Sequence, residues 1–311
     1  MVRPGRLAEV GRLVGFSVAF VLLAGLILGR SSSAVLPQGA GTLLAVVVVS
    51  VVFLRIEGQS LRVLGLGREG SGGEVIRGVL LGVLFALLAL LLAAVPGGLR
   101  WIADDGTVLE YVATGGWTLF ILLFPAAAEE ILFRGYPMRV LQRAWGPGVA
   151  LIVTSVAFAV LHGGNPEVGP LAIVNIGLAG LLLGVVYLQT GSLWWATGVH
   201  LGWNFASSFI GDLPLSGLNL VDSPLLDVGS QGRELITGGP FGLEGGLAGT
   251  LALGVAVAVL FRKPVLSASA PALAGGSRAP LSRIIDLQWP LDPAGPPSEG
   301  GSERDLGADD T

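Results

Sequence analysis

Apolar runs of about twenty residues recur along this chain, and they restrict its fold more than any other feature. "VLLGVLFALLALLLAAV", residues 79–95, is uninterrupted by charge. A helix needs roughly 20 mainly apolar residues to cross the hydrocarbon core. A membrane β-barrel would show short alternating segments instead. Eight such runs are read, at about 13–29, 38–54, 75–95, 114–133, 148–162, 170–188, 192–211 and 243–261. The expected fold is an all-α polytopic transmembrane bundle of about eight spans.

Composition supports the same class. The chain is 52% hydrophobic and 13% charged, where a soluble domain carries about 25% charged residues. Its mean hydropathy is +0.76. It has no cysteine, which excludes disulfides, a thiol nucleophile and thiolate metal sites. The net charge of −4 and the scattered basic residues give no footprint for nucleic acid. The bilayer is the expected surrounding, and the expected location is the inner (plasma) membrane. The apolar stretch after Arg3, Arg6 and Arg12 starts as a signal peptide would. Because further spans follow, it is read as an uncleaved first helix.

Loop charges orient the spans. Arg3, Arg6 and Arg12 precede the first; Arg55, Arg62, Arg68 and Arg77 surround the second connection; Arg139 and Arg143 follow the fourth; Arg262 and Lys263 follow the last. The alternate connections are acidic, with Asp104, Asp105, Glu110, Glu167, Asp212, Asp222 and Asp227. Basic residues accumulate on cytoplasmic loops, so eight spans with both termini cytoplasmic satisfy the alternation. Residues 1–262 then form one helical unit with its motif core at 114–211. Residues 263–311, rich in Ala, Pro, Gly and Ser, form a flexible cytoplasmic tail. Within it, "IIDLQW" at 284–289 is a candidate for contact with the membrane surface. The 212–242 connection has no strong period but is long enough to cover an opening.

Against this background "AAAEEILFRG", residues 126–135, is anomalous: two glutamates and an arginine sit inside an apolar run. An intramembrane carboxylate is costly and faces a bundle interior or a watery cavity. Glu130 and Arg134, four residues apart, can meet on one helix face. Glu129 points about 100° away and is free for another partner. That division assigns Glu129 to chemistry and Glu130 with Arg134 to holding charge, although sequence does not fix helix rotation and the roles could be exchanged. One helix is expected over about 114–143, with a turn at "AWGPG". Glu129 precedes Arg143, and His162 follows Gly148, by equal offsets, which places both about 21 Å from the turn. Pro125 is a possible bend just before the glutamates.

The only histidines are His162 and His200, and Asn204 lies one turn beyond the second on the same face. A neutral imidazole can take a proton from water. A second histidine or an amide can donate to a developing oxyanion. Each residue taken alone has a plain reading as a packing or hydrogen-bonding group, or as an internal ion pair. Their joint occurrence at one depth does not. Trp194 and Trp195 read as interfacial anchors, and Gly177, Gly180 and Gly184 as sites of close helix packing.

These residues resemble the CPBP family, the CAAX-protease and bacteriocin-processing intramembrane peptidases also called Abi. The family's EExxxR is matched by Glu129-Glu130-Ile131-Leu132-Phe133-Arg134, its FxxxH by Phe158 to His162, and its HxxxN by His200 to Asn204. The resemblance implies an intramembrane endopeptidase acting on membrane proteins or membrane-associated peptides. By it, Glu129 and His162 activate water, His200 and Asn204 stabilise the oxyanion, and Glu130 and Arg134 support them. It leaves two mechanisms open. Zinc would be held by Glu129, His162 and His200. The metal-free mechanism, with no cofactor, is preferred because HExxH is absent and asparagine is a poor zinc ligand. A secondary transporter or channel with a buried Glu/Arg/His pathway is the alternative, but it should show internal repeats, and none is evident. A catalytically silent scaffold has only the small-residue helix faces in its favour.

Overall fold

The computed structural model describes residues 5–29, 34–67, 71–230, 233–262 and 266. The proposed tail segment, including 284–289, lies outside the described residues, apart from Leu266. The chain is a helical bundle of α1 (Arg6–Leu28), α2 (Val35–Ile56), α3 (Ser71–Ala94), α4 (Val108–Glu130), α5 (Tyr136–Leu161), α6 (Pro170–Thr190), α7 (Leu193–Phe205), the single turn α8 (Glu234–Thr237) and α9 (Leu247–Arg262). Each apolar run of the sequence falls on helix. Among the described residues five helices are long and apolar enough to cross a membrane, counting Val108–Gly164 as one.

That run is not a single rod. A straight helix would set Glu129 and His162 about 50 Å apart, yet their side chains approach to 3.8 Å. The reversal occurs at Gly146, whose φ of 85° and ψ of 170° break the helix. A side chain would be strained in that region, so glycine is required there. The expected turn is therefore present, but the expected continuous helix before it is not. It starts earlier, at a Thr107 cap closed by Glu110, and a π-helical segment, Ile131–Gly135, interrupts it directly after the glutamates.

The bundle is not purely α. Leu99–Ala103 (β1) and Leu226–Ser230 (β2) pair antiparallel, with Trp101 opposite Val228. The 212–242 connection thus contains a strand and short helical turns rather than irregular chain. Asp212 holds it by accepting from the Ser223 and Val228 backbone N–H groups. Burial pushes the Asp212 carboxyl above its ordinary value against those two bonds, and Asp222 and Asp227 add to the rise.

Glycine contacts set the two helix pairs that carry the site. On α3 and α7, a Cβ at Gly82 would lie 2.1 Å from the Val199 carbonyl, and one at Gly202 would lie 2.2 Å from that of Val79. On α6, a Cβ at Gly184 would meet Leu151 at 2.4 Å, and one at Gly180 would meet Ser155 at 3.0 Å. Close backbone approach of this kind is how membrane helices gain packing without a hydrophobic drive between them. Trp195, expected at an interface, is instead buried between helices, because α3 covers this part of α7. Trp194 donates to the Gly67 carbonyl at 2.8 Å.

The two ends of the bundle differ in charge. At one end Arg143 joins Glu9 at 2.8 Å and Glu57 at 3.1 Å, tying α5 to α1 and to the end of α2. Tyr136 donates to Glu57 at 2.6 Å in the same cluster. The opposite end carries the sheet, the 162–169 turn and the 212–246 connection, which are joined by Asn165 to the Ser216 carbonyl and by Trp101 to the Gly211 carbonyl.

Candidate active site

The π segment changes the helix register immediately after Glu129 and Glu130. A second π segment, Ala206–Ile210, follows Asn204 closely. Such insertions distort the regular hydrogen-bond ladder and are concentrated at functional sites. Here each lies beside a residue that faces the cavity.

Glu130 and Arg134 are fully buried and paired at 3.0 Å. The guanidinium also donates to the Gly180 carbonyl at 2.9 Å, and its carbon lies 4.8 Å from the centre of the Phe158 ring. One glutamate, one arginine, a helix carbonyl and an aromatic face therefore pack together in the interior, with Glu130 Oε2 and Arg134 Nε left without a hydrogen-bond partner among the described residues. Glu130 has a further partner: its Oε1 accepts from Nδ1 of His200 at 2.9 Å. The pair fixes the histidine's ring as well as its own charge.

Glu129 faces the other way. Its Oε2 lies 3.8 Å from Nε2 of His162 and 3.8 Å from Nε2 of His200. That oxygen is buried without a hydrogen-bond partner, while the Glu129 side chain as a whole is partly exposed. These separations exceed direct hydrogen bonds but leave room for one small oxygen within reach of the carboxylate and either ring. His162 points Nδ1 at the Phe158 carbonyl at 2.7 Å. A carbonyl only accepts, so Nδ1 carries the proton, and the neutral ring presents a lone pair at Nε2. Phe158 stacks near both rings, with centroids 4.5 Å from His162 and 6.0 Å from His200.

The four residues assigned to chemistry open into one cavity of about 470 Å³. Its walls are mainly apolar, among them Phe85, Leu122, Leu132 and Leu183. The Asn204 side chain lines it from α7, one turn beyond His200. The structure brings together Glu129, His162, His200 and Asn204, and places Glu130 and Arg134 behind them.

Sequence reasoning missed Glu244, Trp203 and Ser216. Glu244 lines the same cavity, accepting from Trp203 Nε1 at 3.1 Å and from the Ser216 hydroxyl. Buried Asn175 holds this segment through the Glu244 and Gly246 carbonyls. The available signal was a lone glutamate in the glycine-rich "GGPFGLEGG".

Two imidazole nitrogens and a carboxylate oxygen are donors of the zinc type. A tetrahedral zinc with bonds near 2.0–2.1 Å, however, sets its ligands about 3.3–3.4 Å apart, closer than the 3.8 Å observed. Among the described residues no group of three or more His, Cys, Asp or Glu side chains has the arrangement of a metal site. The residues as placed do not form a zinc shell, and no step below passes through a metal.

Residues 112–206 match the family model described as type II CAAX prenyl endopeptidase Rce1-like. The match spans all three motifs, from Glu129 to Asn204, and about a third of the chain. No curated protein and no solved structure matches the chain. Over that segment the chain is similar to the CAAX-protease family, the group its three motifs resemble.

Proposed function

We propose that this protein is an intramembrane endopeptidase that hydrolyses bonds of membrane-associated proteins with water activated by Glu129 and His162. The observation that carries the reading is the unpartnered Glu129 oxygen, 3.8 Å from two imidazoles, in a cavity of about 470 Å³. A water bound there gives its proton to the carboxylate or to Nε2 of His162 as its oxygen attacks the peptide carbonyl. The C–N bond then breaks, and the held proton passes to the leaving amine. One positioned acid–base group contributes about 10²–10⁴-fold.

His200 and the Asn204 amide donate to the tetrahedral oxyanion. Because Nδ1 of His200 donates to Glu130, its Nε2 can donate only when both ring nitrogens are protonated. The imidazolium then offsets Glu129 while Arg134 offsets Glu130, so the four side chains are neutral together. Glu130 is a positioning residue: it holds the ring and its charge state without reaching the substrate.

In this reading the bundle crosses the plasma membrane eight times with both termini cytoplasmic, the Gly146 turn dividing Val108–Gly164 into two spans. The substrate segment is locally unwound, since an intact lipid-embedded helix keeps its peptide groups in hydrogen bonds. Nothing in the family comparison supports the transporter alternative. The test is a comparison of membrane and secreted peptides from cells carrying wild type or His162→Ala. Direct substrates accumulate uncut in the variant, and purified wild type cuts them at the same bond. No difference in cleavage, together with loss of solute transport, would return the transporter reading.

A further inference from the structure

The charge of the bundle ends and the lining of the cavity together fix the side from which the site is reached. Arg6, Arg12, Arg55, Arg62, Arg139 and Arg143 lie at one end, with α1 starting, α2 ending and α5 beginning there. Asp104, Asp105, Glu167, Asp212, Asp222 and Asp227 lie at the other. Among the described residues outside the helical runs, Arg100 and Arg233 are the basic side chains at that acidic end. Arg233 is occupied by the Pro96 carbonyl. Cytoplasmic loops collect arginine, which makes the acidic end extracytoplasmic.

The cavity belongs to that acidic end. Its loop-derived lining comes from Asn165, Leu215, Ser216, Leu218, Leu220 and Glu244, all on the 162–169 and 212–246 connections. Its α2 lining, Val35 to Thr42, is the first two turns of that helix, far from Arg55. None of the arginines named above lines it. The arginine end is instead tied together by the Arg143–Glu9–Glu57 cluster, by Tyr136 on Glu57, and by Trp194 on the Gly67 carbonyl.

We infer that substrate enters from the extracytoplasmic face, past the Ser216 loop and the start of α2. Resting on the peptidase reading for what enters, this names the substrate class as extracytoplasmic juxtamembrane segments, or peptides held at that leaflet. Soluble cytoplasmic tails do not reach the site. The cavity is lined by Glu129 and Glu244, and among the described residues no lysine or arginine lines it. With the His200 imidazolium of the proposed mechanism already offset by Glu129, the cavity leaves no uncompensated positive charge for a terminal carboxylate, which favours an internal bond.

The natural absence of cysteine permits a direct test with the full chain. Single cysteines replace Leu132 in the cavity, Leu218 in the covering loop, Asp105 at the acidic end and Arg62 at the arginine end. Each is exposed to a permanently charged thiol reagent in spheroplasts and in inverted vesicles. Leu132→Cys, Leu218→Cys and Asp105→Cys are expected to react at least about tenfold faster in spheroplasts, and Arg62→Cys faster in inverted vesicles, because hydrocarbon excludes the charged reagent. Asp105→Cys and Arg62→Cys report the orientation even where a cavity variant folds poorly. Equal or faster labelling of Leu132→Cys and Leu218→Cys from the cytoplasmic side overturns the inference. Labelling does not require turnover, so its outcome is separate from that of the peptidase reading. Substrates found by the His162→Ala comparison must carry their cut bond on the extracytoplasmic side, and a cut on the arginine side also overturns it.

Discussion

Arg134→Met removes the guanidinium charge from the buried cluster while keeping an unbranched side chain against Phe158. Arg134 has no exposed surface, lies 3.0 Å from Glu130 and donates to the Gly180 carbonyl. Removing one partner of a buried ion pair costs about 3–5 kcal/mol, mostly from the charge left behind. Here the stranded charge is Glu130, which keeps only the His200 N–H. The loss should therefore fall near the lower end of that range. Adding Glu130→Gln to Arg134→Met removes the stranded charge and leaves an amide oxygen for His200. The double variant should be more stable than Arg134→Met by about 2 kcal/mol, a coupling typical of residues sharing one network. It should not recover activity, since His200 no longer faces a carboxylate that favours its protonated ring. Reversible unfolding in mixed micelles, followed by tryptophan fluorescence, gives all three stabilities. A cost below about 1 kcal/mol for Arg134→Met, or a double variant less stable than the single one, refutes the buried-pair reasoning.

Other consequences are equally specific. Gly82→Ala puts a methyl 2.1 Å from the Val199 carbonyl, so α7 must shift and carry His200 with it; stability and turnover should fall together. Gly116→Ala, whose Cβ meets nothing within 4 Å, is the control and should change neither. Asn204→Ala should lower kcat about 10²–10³-fold with little change in KM, as expected for an oxyanion donor; a change confined to KM would make it a binding residue instead. Extensively chelated enzyme should remain active without stoichiometric metal in elemental analysis. One zinc per chain, lost and restored in parallel with activity, would reassign Glu129, His162 and His200 as ligands.

The helical bundle was legible because hydrocarbon demands long apolar runs, and the reversal near Gly146 because "GPG" cannot continue a helix. Glu130 with Arg134 was legible from an i, i+4 spacing that survives the following π segment. The depth match of Glu129 and His162 followed from equal distances to one turn. Other features arise only when separate elements meet. The β1–β2 pairing joins segments over a hundred residues apart, so neither strand carries a hairpin signal. The link from His200 to Glu130 spans α7 and α4 and depends on helix rotation. Trp195 reads as an anchor until α3 covers it through Gly78 and Gly198. Glu244 joins the cavity because the glycine-rich segment before α9 folds inward, a path its sequence does not specify.

The account stands most directly on Glu129. Purified Glu129→Gln and wild type are compared for turnover of a substrate identified through the His162→Ala comparison, with folding checked by thermal unfolding in the same detergent. Glutamine keeps the volume but cannot take the water's proton. The account predicts a loss of about 10²–10⁴-fold or more in kcat with unfolding unchanged. Equal turnover by the two proteins would contradict it.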